Sequence, residues 1–179
     1  MNDRNAIMKL LAIFCASFTY FISVISQTTI TPNTNNDTVL NPDASYCFEF
    51  TWIGPGYDEN YMYNGTCTDY LDETRAKHVP CSPPIVVSDD GTFPDIDWMF
   101  ENKKTSVLCR RTANQVCATY TYKYDGVVNN ATYMCTKVQQ IGGSAITSGC
   151  YTQTIAGYEV ELCVCKSNPG LWKPCNGNF

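Results

Sequence analysis

Hydrophobic and polar positions alternate most regularly between Gln115 and Val138, where two β-rich runs flank Asp125-Gly126. That dipeptide suits a two-residue turn with positive φ at both positions, so the segment predicts a β-hairpin. With those residues as the loop, Tyr124 faces Val127, Tyr122 faces Asn129, Tyr120 faces Ala131 and Ala118 faces Tyr133. Alternation then places Tyr120, Tyr122, Tyr124, Val127 and Tyr133 on one face, and Thr119, Thr121, Lys123, Asn130 and Thr132 on the other. In this register Cys117 lies opposite Met134 and Cys135 opposite Val116. The two cysteines therefore project to opposite faces and, without a bulge, do not bond to each other.

Shorter elements surround the hairpin. The aromatic and β-branched run from Tyr46 to Trp52 predicts a strand that ends at Gly54-Pro55-Gly56. Between Cys67 and Cys109, four prolines (Pro80, Pro83, Pro84 and Pro94) and Asp89-Asp90-Gly91 predict mostly loop, with a short helical turn near Asp95 to Glu101. Ile141-Gly-Gly-Ser144 is a second turn, followed by a short strand into Cys150. Gly157 precedes a last strand from Tyr158 to Cys165, and Asn168-Pro169-Gly170 turns the chain towards Cys175. No helix of ordinary length follows residue 26. The fold class is all-β: a small disulfide-rich domain of hairpins.

The beginning of the chain reads differently. Met1 to Lys9 is polar and carries Arg4 and Lys9, an apolar run extends from Leu10 to Ile25, and Val24 and Ser26 suit the positions before a cleavage site. This layout predicts a secretory signal peptide over 1–26, since the apolar run is shorter than the roughly 20 residues of a membrane span. Residues 27–45, rich in Thr, Asn and Pro, bury too little to order themselves and are expected to form a disordered, flexible N-terminal arm. The disulfide-rich β domain is assigned to 46–179. Loss of Asp3, Arg4 and Lys9 leaves ten basic against sixteen acidic residues. A net negative, scattered charge argues against nucleic acid as a partner. The C-terminal Gly177-Asn178-Phe179 lacks the apolar tail that directs a lipid anchor, so a secreted, extracellular product is expected.

Cysteine usage sharpens that picture. Of eleven cysteines, Cys15 leaves with the signal, and Cys47, Cys67, Cys81, Cys109, Cys117, Cys135, Cys150, Cys163, Cys165 and Cys175 remain. An even, high count behind a secretory signal predicts a disulfide framework, although about 945 pairings are open to it. Zinc is disfavoured because Cys163-Val-Cys165 lacks metal-ligand spacing and the single histidine is His78, far away in sequence. No metal or cofactor is expected.

The two near-adjacent cysteines, Cys163 and Cys165, followed by Cys175-Asn176, resemble the C-terminal signature of Ly6/uPAR (three-finger) proteins, particularly secreted and surface forms of invertebrates. The Cys117 to Cys135 hairpin looks like their central finger. The resemblance covers Tyr46 to Asn176 and implies the pairs Cys47 with Cys117, Cys67 with Cys81, Cys109 with Cys135, Cys150 with Cys163, and Cys165 with Cys175. The chain departs from the family where Cys47 is followed only by Cys67, and in the longer segments from Cys81 to Cys109 and Cys165 to Cys175. Members of that family include receptor ligands, toxins, channel modulators and junction-assembly factors, so the resemblance implies a fold more than a function.

No catalytic constellation is legible. His78 stands alone in a polar loop, without the partners of a hydrolytic triad. Asp58-Glu59, Asp89-Asp90 and Asp95 with Asp97 do not match a calcium loop, and turn chemistry accounts for them. A non-enzymatic function is expected: a binding module, ligand or modulator of a cell-surface receptor or channel, with an extracellular or membrane protein as partner. The alternative is a structural or extracellular-matrix component. Tyr120, Tyr122, Tyr124 and Tyr133 form the candidate binding face, because Tyr offers large contact area with a polar tip. The competing role for each is packing against the loop from Cys81 to Cys109. Asn36, Asn64 and Asn130 head glycosylation sequons.

Overall fold

Short apolar runs broken by Gly, Pro and Asp leave little room for long elements. The computed structural model describes residues 39–54, 67, 79–88, 90–155 and 157–178. The chain divides into Met1–Asn36 and Asp37–Phe179, and all described residues belong to the second unit. Its strands are β1 (Tyr46–Phe48), β2 (Phe50–Trp52), β3 (Ile85–Val86), β4 (Leu108–Arg110), β5 (Val116–Tyr124), β6 (Val127–Thr136), β7 (Val138–Gln139), β8 (Ala145–Ile146), β9 (Gly149–Ile155) and β10 (Tyr158–Cys165). Two short helices, α1 (Ile96–Asn102) and α2 (Lys104–Val107), precede β4, and a 3-10 turn spans Cys175–Gly177. The fold is all-β and disulfide-rich. Among the described residues no helix is long and apolar enough to cross a membrane.

Six strands form the main sheet in the order β3-β2-β6-β5-β10-β9, with β1-β4 and β7-β8 as separate two-stranded ribbons. The hairpin turn forms as its dipeptide dictates, with φ of 50° at Asp125 and 75° at Gly126. Near that turn the expected pairing holds, since Tyr124 faces Val127. Further along it does not. A bulge beyond Tyr122 inserts Asn129 as an extra residue, so that Tyr122 faces Asn130, Tyr120 faces Thr132, Thr119 faces Tyr133 and Ala118 faces Met134. A one-residue slip moves every later side chain of β6 to the other face. At the bulge, Gly54 presses its backbone against β6: with φ of 89°, a Cβ there would collide with the Asn129 carbonyl oxygen.

Two further expectations are corrected. The run from Tyr46 to Trp52 is not one strand, because Glu49 interrupts it and sends β1 to β4 but β2 to β6. The ordered domain also begins before Tyr46. Within the segment assigned to the arm, Ala44 and Ser45 are buried, the Ser45 and Ala44 carbonyls accept from the Arg111 and Gly170 amides, and the Tyr46 hydroxyl accepts from the Asn41 amide. Backbone pairing orders these residues where their own side chains would not. Residues 27–38 lie outside the described residues.

The core collects on one face of the sheet. Phe48, Phe50, Trp52, Ala131 and Tyr133 are buried there beneath Met99 of α1 and Val107 of α2. Phe50 stacks on Tyr133 with centroids 4.4 Å apart, and Phe48 meets both rings edge-on. Each fully buried aromatic contributes roughly 1.5–3 kcal/mol. Helix α1 starts where expected, its first turn capped by the Asp95 carboxylate accepting from the Trp98 amide at 3.0 Å.

The described bridges are Cys47–Cys117, Cys67–Cys81, Cys109–Cys135, Cys150–Cys163 and Cys165–Cys175. These are the same pairs that the family resemblance implied. Cys117 and Cys135 do not bond to each other, although the bulge that the uninterrupted register excluded sets them directly opposite on one face. Cys47 and Cys109 are likewise opposed across β1 and β4. The two bridges therefore run between the strand pairs, fastening the β1-β4 ribbon to the β5-β6 hairpin. Asn176, wholly buried, completes the junction. Its Oδ1 accepts from the Phe48 amide at 3.0 Å, and its Nδ2 donates to the Phe48 and Ala118 carbonyls at 3.1 and 3.3 Å. Replacing Asn176 by Ala removes these bonds and strands a buried amide. The expected loss is about 3 kcal/mol of folding free energy, read from the urea midpoint at unchanged slope.

Candidate functional site

Side-chain alternation along β5 and β10 assembles the site on the sheet face opposite the aromatic core. Tyr120 and Tyr122 of β5 face Leu162 and Val160 of β10, and Tyr151, Gln153 and Ile155 of β9 continue the same face. At the hairpin end the Tyr158 ring packs between two others, 4.8 Å from Tyr122 and 5.1 Å from Tyr124. Tyr124 is 55% exposed and neighbouring Val127 58%. Tyr120 lies deeper, and burial together with the nearby Tyr122 raises its phenol above the ordinary tyrosine value. The cluster thus has half-buried roots and an exposed tip, the arrangement that lets a tyrosine give contact area without losing much side-chain freedom.

On the other face, the Lys123 Nζ bonds the Glu161 carboxylate at 2.7 Å and lies 3.6 Å from Glu159. The Glu161 hydrogen bond is the main cause that raises the Lys123 ammonium above its usual value. Being partly exposed, this triad contributes at most about 1 kcal/mol to stability. It aligns β5 with β10.

Tyr133 does not belong to the candidate face. The bulge turns it inward, where it is 1% exposed and lies between Phe50 and Phe93, the latter in the Cys81 to Cys109 loop. For Tyr133 the competing role, packing against that loop, is correct. Tyr120, Tyr122 and Tyr124 remain together on the sheet's other face. Tyr158 was missed by sequence reasoning. Its alternation with Val160 and Leu162 carried the signal, but the neighbour of β5 could not be read from the chain.

The remaining sequence candidates separate cleanly. Asn130 is turned by the same bulge onto the Tyr122 side and is only 6% exposed within β6, so it does not lie on a solvated polar face. Asn36, Asn64 and His78 lie outside the described residues, as do Asp58, Glu59 and Asp89. Asp90 accepts from the Thr92 amide and hydroxyl, which lowers its carboxyl below the ordinary range. Asp95 caps α1, and Asp97 pairs with Lys173 at 2.7 Å. Sulfurs also cluster, as in Cys117 with Cys165 and Cys175, but all of these are oxidised in bridges and offer no thiolate to a metal. The closing loop presents Trp172, whose exposed indole leans over Gly170.

Two outcomes follow from the bulge. The folded protein is expected to carry no glycan at Asn130, because a sugar on a buried amide would force β6 out of the sheet; glycopeptide mapping checks this. Burial also holds the Tyr133 phenol well above the ordinary tyrosine value of about 10. Its protonated form is favoured by folding, so that contribution to stability is complete below about pH 10 and lost as pH rises above it. Urea midpoints measured across this range should fall more steeply for the native protein than for Tyr133→Phe.

Comparison with protein families, curated proteins and solved structures yields no match for this chain.

Proposed function

We propose that the protein is a secreted binding module of three-finger type that acts as a ligand or modulator of a cell-surface receptor or channel, through the cluster of Tyr122, Tyr124 and Tyr158. The observation that carries this reading is the exposed tyrosine tip standing on a sheet whose strands are cross-linked by disulfides. A rigid platform loses little entropy on docking, so contact area is converted into affinity rather than into ordering. Tyrosine is enriched among residues that dominate binding energy. The five bridges suit an oxidising, extracellular location, and their pairing supports the three-finger reading.

The test is binding of labelled secreted protein to intact cells, with and without prior protease treatment of the cell surface. Saturable, protease-sensitive binding is expected. Tyr122→Ser with Tyr124→Ser should weaken it by about tenfold or more, while the melting temperature changes little. Retained binding in that double variant would remove the cluster from the function, and a collapse in melting temperature would reassign it to the core.

A further inference from the structure

An edge strand leaves a row of backbone amides and carbonyls without a ladder partner, and proteins guard such rows with lysine, proline, bulges or covering segments. The two edges of the main sheet differ in this respect. At one, β3 is only two residues long. At the other, β9 offers seven residues, all exposed, with the sequence Gly-Cys-Tyr-Thr-Gln-Thr-Ile. This edge holds no charge and no proline, and its register with β10 is unbroken. Cys150 and Cys163 are directly opposed in that register and bonded, so the edge is held in ladder geometry before any partner arrives.

We propose that β9 pairs antiparallel with β9 of a second copy, about a two-fold axis at Thr152, to make a homodimer with one continuous sheet. An antiparallel pair has its two-fold axes perpendicular to the sheet, so the only requirement is that the strand be compatible with its own reverse. Here it is. Thr152 faces its own counterpart, Tyr151 faces the partner's Gln153, Cys150 faces the partner's Thr154, and Gly149 faces the partner's Ile155. Thr–Thr pairs are favourable across strands, and diagonal reach brings Tyr151 towards the partner's Tyr151 and the partner's Ile155. Both Tyr151 and Ile155 are exposed in the single chain, so pairing covers apolar surface as well as backbone.

Net charge does not forbid this contact. Among the described residues, the strand next to the edge carries Glu159 and Glu161, on β10 across from Thr154 and Thr152. In the dimer the two β10 strands lie three strand spacings apart, about 14 Å, which exceeds the screening length of about 8 Å at physiological salt. Lys123 also pairs with Glu161. The axis carries both tyrosine clusters to the same side of the joined sheet, making the dimer bivalent towards any partner. This bivalence rests on the tyrosine-cluster reading; the dimer itself does not.

Sedimentation of the secreted protein across a concentration series tests the pairing. The native protein should reach dimer mass. Thr152→Lys sets two like charges against each other at the axis and should weaken the dimer by about tenfold or more, with unchanged melting temperature, as should Thr152→Glu. Mixing these two variants should restore dimer mass through the opposite-charge pair. A native protein that stays monomeric to about 100 µM overturns the proposal. So does a Thr152→Lys protein that remains dimeric, a mixture that stays monomeric, or open-ended assembly in place of a closed pair. None of these variants alters Tyr122 or Tyr124, so failure here is distinguishable from failure of the binding site.

Discussion

Two disulfides crossing between strand pairs hold the architecture together. Cys47–Cys117 and Cys109–Cys135 span 70 and 26 residues of chain and fasten the β1-β4 ribbon onto the β5-β6 hairpin. In the chain-entropy description, closures of this length each disfavour the unfolded state by about 3–5 kcal/mol. That matters because the aromatic core cluster lies on one face of the sheet, and β9 buries none of its residues. Asn176 belongs to the same junction, as its side chain serves backbone groups of both β1 and β5 and its carbonyl accepts from the Thr119 hydroxyl. The covalent and hydrogen-bonded parts work together: the bridges bring the ribbon to the hairpin, and the amide satisfies the polar backbone that this contact buries.

A single extra residue divides the tyrosines between core and surface. Without Asn129 as a bulge, Tyr133 would share a face with Tyr120 and Tyr122; with it, Tyr133 becomes the stacking partner of Phe50. Gly54 makes this geometry compatible with the neighbouring strand, since its missing side chain leaves space for the Asn129 carbonyl. The two faces consequently acquire different duties. One closes over Met99 and Val107, while the other keeps an aromatic cluster at its far end. The same hairpin that anchors the core at Tyr133 thereby displays Tyr124.

Cys150–Cys163 pins the last edge close to the bridged junction, whereas towards the hairpin tip the strands are held by pairing, by the Lys123 ion pairs and by the tyrosine packing. The candidate site and the open edge lie on the same half of the sheet. On that half Tyr124, Tyr151 and all residues of β9 are exposed.

Local chemistry was readable from the chain wherever a few neighbouring residues decide conformation. Asp125-Gly126 required the hairpin turn, Asp95 announced the start of α1, the strand from Tyr158 to Cys165 followed from its alternation, and cysteine content announced a disulfide framework. Readings that needed an uninterrupted ladder failed beyond Tyr122, because alternation carries no mark of a bulge produced by contact with a strand some eighty residues away. The break at Glu49, the ordering of Asn41 to Ser45 and the meeting of Tyr158 with Tyr122 have the same origin. Periodicity states which residues share a face, whereas the identity of the neighbouring strand, and hence which face is buried, is set by distant segments packing together. Tertiary structure alone made Tyr133 a core residue, and it alone brought Tyr158 to the tyrosines that the sequence had already marked.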